Sequence, residues 1–223
     1  MKIFVITALS LMLTLMFGTD LFSQSWKTYN TKDNPRAQGV TLSVDYPGTY
    51  QLGLDSGNQI IAYFMFADFN HGVIKTLQVM VVGDPSFIED KEVRESFKND
   101  DNYDLCSLPD SETKSIIGAQ EYQQYSSGLF ISPNFNKKTV NGVCGLQYDA
   151  TNTFSDQGIP FFASIDSFLI GYMNKTVGAP RFVTLTCNTT GMLEDKNIIQ
   201  EAHRTDSAAV CNQFFNSLKI YDR

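Results

Sequence analysis

Histidine is nearly absent from this chain: His71 and His203 are the only two. A Ser-His-Asp relay, or any hydrolase of that type, would have to be built on one of them. The short motifs that place a nucleophile or a zinc-bound water, G-x-S-x-G and H-E-x-x-H, are both missing. None of the four cysteines forms a C-x-x-C, so there is no signature of a redox dithiol or a compact zinc site. Positive charge is in deficit, with 17 Lys and Arg against 24 Asp and Glu and a net charge of −7. Such a chain repels phosphate backbones and anionic lipid, which argues against nucleic-acid binding and against docking on a membrane surface. There is no internal repeat, no low-complexity segment and no Pro/Gly/Ser linker.

One long apolar run is present, over residues 3–17, behind Lys2 and ahead of a polar stretch ending Ser23-Gln24-Ser25. A charged start, a short apolar stretch and a small-x-small site are the parts of a secretory signal peptide. The run is shorter than the roughly 20 apolar residues of a membrane span. The expectation is therefore a signal peptide over residues 1–25, cleavage before Trp26, and a periplasmic or secreted protein with no stable membrane insertion. What remains fits one domain. The hydrophobic content of the full chain, 43%, is enough for a core.

Export places the cysteines in an oxidising compartment. Four cysteines allow three pairings. The sequential pairs, Cys106 with Cys144 and Cys187 with Cys211, are favoured, because Cys187 ends a strand-like run and Cys211 sits on a helix that should return across it.

Alternation of apolar and polar residues marks a strand at Val40, Leu42 and Val44, after a polar, turn-like stretch over residues 26–38. Residues 60–66 and 73–82 read as a hairpin around Asn70-His71-Gly72. A short helix fits residues 87–98, followed by an acidic loop over 99–104. Residues 113–130 read as beginning with a strand at Ser115-Ile116-Ile117. Residues 133–138 and 151–158 read as polar loops, with a strand around Cys144 between them. The apolar stretch 161–172 suits either helix or strand. Residues 181–188 alternate well and read as a strand. Residues 194–202 and 207–215 read as two helices with Thr205 and Asp206 as caps between them. Residues 218–221 close the chain as a short strand. A block of strands flanked by helices predicts the α+β class.

The string Trp26-Lys27-Thr28-Tyr29, then Gly39 through the strand to Tyr46-Pro47, resembles the opening of the Mog1/PsbP-like superfamily, which includes the DcrB-like proteins. Ile116-Ile117-Gly118 and the ending Phe215-Asn216-Ser217-Leu218-Lys219-Ile220 agree in order with its later elements. The resemblance implies an antiparallel sheet between helices, an α/β/α sandwich. It also implies a protein that binds a partner and is not an enzyme. No shared catalytic motif accompanies it. This chain departs from the pattern in an elaborated middle segment, residues 137–178, and in its cysteines.

The remaining candidates are binding residues. Asp100, Asn102 and Asp104 have the 1, 3, 5 spacing of a calcium loop. Leu105 stands where that loop needs glycine and Ser111 where it needs glutamate, so the EF-hand pattern fails. A looser calcium site there stays open beside a solvated acidic loop, and no cofactor is otherwise expected. His71 reads as an exposed turn residue, and His203 as a helix-end residue suited to the dipole. Asn174-Lys175-Thr176 and Asn188-Thr189-Thr190 match the glycosylation sequon. Among the many aromatics of the middle segment, Phe130, Phe135 and Phe154 fall in polar, loop-like stretches and could anchor a protein partner. The expectation is an exported, non-enzymatic binding protein of the cell envelope that recognises a protein. The alternatives are a carrier of a small ligand or calcium, and an inhibitor or immunity protein.

Overall fold

The computed structural model describes residues 25–53, 60–82, 105–124 and 129–223. The acidic string Asp100, Asn102 and Asp104, the helix expected over 87–98 and the leader lie outside the described residues.

Strands dominate. Seven of them form one antiparallel sheet in the order β3 (Gln51–Gly53), β4 (Ile60–Asp68), β5 (Val73–Val82), β9 (Ala179–Met192), β8 (Ile159–Asn174), β7 (Val143–Asp156) and β6 (Leu129–Val140). A smaller sheet has β1 (Trp26–Asn30), β2 (Leu42–Pro47) and β10 (Lys219–Ile220) in the order β1-β2-β10. The helices are α1 (Asp110–Gln124), α2 (Lys196–Asp206) and α3 (Asn212–Asn216), with a π-helical turn at Ser207–Cys211 joining α2 to α3. The described fold is thus mainly β and antiparallel, in place of the α+β class expected.

The period of two sorts side chains onto two faces of the large sheet. On the first face, Phe64, Leu77, Val79, Leu185, Phe168 and Ile170 pack under the small sheet and under Phe214, Phe215 and Leu218. On the second face, Leu146, Tyr148, Leu169 and Phe182 pack against Ile116 and Ile117 of α1. Each disulfide fastens a different face. Cys187–Cys211 ties β9 to the π-helical turn, and Cys106–Cys144 ties the turn before α1 to β7. These are the sequential pairs expected. Disulfides persist in oxidising compartments, so they mark an extracytoplasmic protein.

Several elements differ from the sequence reading, each for a physical reason. Residues 26–30 form β1, an edge strand whose exposed residues hide the alternation. Ser115-Ile116-Ile117 belong to a helix, whose first turn carries Asp110 and Glu112 against the helix dipole. The two polar loops are strands: residues 133–138 lie in β6 and 151–156 in β7. Both hairpin turns of this region put two consecutive residues at positive φ, Asn141-Gly142 (48° and 78°) and Gln157-Gly158 (50° and 82°). That is the two-residue turn whose twist matches paired strands. Residues 137–178 therefore supply much of the main sheet. Thr205 and Asp206 do not separate two helices. The backbone runs through them into the π-helical turn.

Candidate functional site

The helix from Lys196 to Asn216 crosses the first face over β8 and β9, while β6 and β7 extend beyond it. The uncovered strands and the helix flank form a groove of about 550 Å³. Asn136, Gln147, Asp149, Thr151 and Ser164 rise from its floor. Gln200, Arg204, Ser207 and Asn212 line its wall. These polar floor residues follow from position: strands without a covering layer must present polar side chains to water. Phe130 pairs with Thr151 across β6 and β7, so its ring, 65% exposed, stands on the same face beside the floor.

At the inner wall is a buried polar cluster. Asp166 on β8 accepts a hydrogen bond from the Ser207 hydroxyl. Its other oxygen lies 3.3 Å from His203 Nε2. His203 Nδ1 lies 3.1 Å from the Thr189 hydroxyl of β9. Burial pushes the Asp166 carboxyl up, but His203 and the Ser207 hydroxyl more than offset it and hold the group below the usual carboxylate range. The π-helical turn brings Ser207 to this site; such turns recur where helices carry function. His203 lies in the last turn of α2, as the sequence reading has it, and is buried there and bonded to Thr189.

A second charged chain flanks the helix on its other side. Lys75 Nζ lies 3.1 Å from Asp206 Oδ2 and 3.3 Å from Asp68 Oδ2, and Asp68 also meets His71 Nδ1 at 2.9 Å. Burial pushes Asp206 up, and Lys75 and His203 only partly offset it. His71 is exposed at its turn, as expected.

The cluster holds serine, histidine and aspartate, but in another order from a nucleophilic relay. The serine hydroxyl is bonded to the carboxylate, and the imidazole is bonded to Thr189. A relay needs the serine on the imidazole. No group of three His, Cys, Asp or Glu residues among the described residues could hold a metal ion. Neither sequon is open to a glycan. Asn174 is buried and donates to Asp222 and to the Gly39 carbonyl, and Asn188 is buried in β9.

The three aromatic anchors separate. Phe135 packs against the cluster of Leu105, Ile116 and Tyr148 on the second face. Phe130 belongs to the first face. Phe154 lies on the second, stacked on Phe161 at 5.5 Å. Phe161 in turn pairs with Met192. One strand further, Ile74 pairs with Thr190. An apolar row thus crosses four strands at one end of the second face: Phe154 is 36% exposed, Met192 44% and Ile74 45%. Beyond it, residues 153–160 form a two-stranded arm exposed along its length.

No family model matches the chain, and no curated protein matches it. Among solved structures it is similar to LpqN of Mycobacterium tuberculosis, described as involved in cell envelope biogenesis. The identity is 12%, covering 87% of this chain and 91% of that one, with a TM-score of 0.43. It is also similar to a protein of Bacteroides thetaiotaomicron at 12% identity, covering 81% of this chain and 45% of that one, with a TM-score of 0.34. No helix among the described residues is long and apolar enough to cross a membrane.

Proposed function

We propose that this chain is an exported, non-enzymatic binding protein of the cell envelope that recognises a protein partner. The observation that carries the reading is the apolar row of Phe154, Phe161, Met192 and Ile74 across four strands, in which Phe154, Met192 and Ile74 are exposed and Phe161 is half-buried. Contiguous exposed apolar surface on a folded protein marks an interaction site, and aromatic anchors dominate such sites. The projecting arm of residues 153–160 extends the surface and offers its own unpaired strand edges. The two disulfides suit a working place outside the cytoplasm. Helices on both faces of an antiparallel sheet favour the α/β/α sandwich of the Mog1/PsbP-like superfamily as the finer description of the fold.

The test is affinity capture of the tagged, exported protein from its native envelope, followed by mass spectrometry. One stoichiometric protein is expected with the unaltered chain and is lost with Phe154→Ala combined with Met192→Ala. Capture that survives both substitutions removes this surface from the reading.

A further inference from the structure

The groove on the opposite face has a chemistry of its own. Asp149 and Asp166 offer acceptors, and Arg204 offers donors. Asn136, Gln147, Gln200 and Asn212 offer both from one planar group, as Thr151 and Ser164 do from a hydroxyl. Ala208 alone among the inward-facing side chains is apolar, because Tyr148 and Ala150 point to the second face. Asp149 and Asp166 are the lining carboxylates, and Arg204, the lining guanidinium, is itself paired with Glu201 at 2.7 and 3.0 Å. Asp166 is held in place by Ser207 and His203, so one acceptor of the wall is preorganised. His203 is itself only 6% exposed.

We infer that this groove binds a neutral carbohydrate. An anionic ligand would meet Asp149 and Asp166, and an apolar ligand would strip water from side chains it cannot satisfy. A cation would find one carboxylate already bonded and Arg204 beside it. A sugar carries hydroxyls that donate and accept, which is what this mixed lining requires for full satisfaction. Its ring also has an apolar C–H face, and the Phe130 ring stands exposed beside the floor to receive it. The groove volume of about 550 Å³ is of the size that small-molecule sites occupy. The site goes beyond protein recognition and uses the other face of the sheet.

The experiment is isothermal titration of the exported chain with cello-, malto- and chito-oligosaccharides at millimolar concentration, with spermidine and citrate as cationic and anionic probes. Binding of at least one neutral oligosaccharide is expected. Asp149→Ala and Phe130→Ala should each weaken it about tenfold, the size of one charged hydrogen bond or one good contact. Phe154→Ala, on the opposite face, should leave it unchanged. Both altered side chains are exposed, so the variants fold, and circular dichroism checks this. Three results would overturn the inference: no heat with any of the sugars, heat with spermidine or citrate alone, or sugar binding indifferent to Asp149 and Phe130. No sugar binding by the unaltered chain, together with capture of a protein partner, would sink this inference and leave the partner surface standing.

Discussion

Asp149 and Asp166 sit directly opposite one another on β7 and β8, both on the groove side of the sheet. Like charges at paired positions of an antiparallel ladder repel. Asp166 has Ser207 and His203 to hold it, whereas Asp149 is exposed to the groove. Asp149→Asn should therefore raise stability by roughly 0.2–1 kcal/mol. A urea melt at neutral pH reads this directly. A gain there with a loss of sugar affinity would identify the repulsion as one kept for binding.

Asp166, buried, and Asp206, half-buried, should respond to acid with opposite signs. Asp166 is held below its ordinary value, so its contribution to stability is complete above about pH 4 and fades as pH falls through the folded value. Asp206 is raised, so its contribution is present below about pH 4 and is lost as pH rises through the folded value. Asp166→Asn should cost about 1–3 kcal/mol at neutral pH and flatten the acid limb of the stability curve. Asp206→Asn should change neutral stability by less than about 1 kcal/mol, because relief of burial offsets loss of the Lys75 pair. Denaturant midpoints measured from acid to neutral pH separate the two. Equal losses from both substitutions would contradict the assignment.

The Cys187–Cys211 bridge closes a separation of 24 residues, worth about 3–4 kcal/mol in the chain-entropy account. It also fixes the π-helical turn that carries Ser207. Replacing both cysteines by serine should lower the melting temperature and weaken groove binding together. The Cys106–Cys144 bridge lies on the other face, so its removal should lower the melting temperature and leave groove binding intact. Thermal denaturation and titration on the two double variants check the split.

Phe135 was an anchor candidate in the sequence and is a packing residue in the fold, lying against Leu105, Ile116 and Tyr148. Phe135→Ala should cost about 2–4 kcal/mol of stability through the void it leaves. Phe130→Ala and Phe154→Ala, at exposed positions, should cost less than about 1 kcal/mol. Parallel urea melts of the three variants give the comparison.

The legible parts of the fold were those where one local signal dominates. The strand over residues 181–188 alternates because β9 sets Val183, Leu185 and Cys187 on the first face and Thr184 and Thr186 on the second. The disulfide pairs followed from chain order. The final strand followed the helix because Val210, Phe214 and Leu218 share one face. What sequence could not show is where covering layers stop. Among the described residues no helix stands above β6 and the end of β7 on the first face, so they carry polar residues on that side and read as loops. Asn141-Gly142 is a strong hairpin signal, yet it falls inside the stretch read as one strand around Cys144. Residues 161–172 stayed ambiguous because β8 is buried on both faces, which erases the period of two. The cluster of Asp166, Thr189, His203 and Ser207 left almost no local trace. Only His203 and Ser207, four apart on one helix face, hinted at a shared direction; the strands they meet are set by tertiary pairing.

β2 lies between β1 and β10, so a strand from the start of the described chain is completed only by Lys219 and Ile220. Asp222 then receives the Thr41 amide, the Tyr172 hydroxyl and the Asn174 amide at 2.7, 3.0 and 2.8 Å. A chain made from its N-terminus presents Leu42 long before its partner strand exists. Leu42 and Val44 stay uncovered on that side until Lys219 and Ile220 arrive. Closure of this sheet thus depends on contacts as far as 181 residues apart in sequence, which makes it a late step that seals the first face after the large sheet has paired.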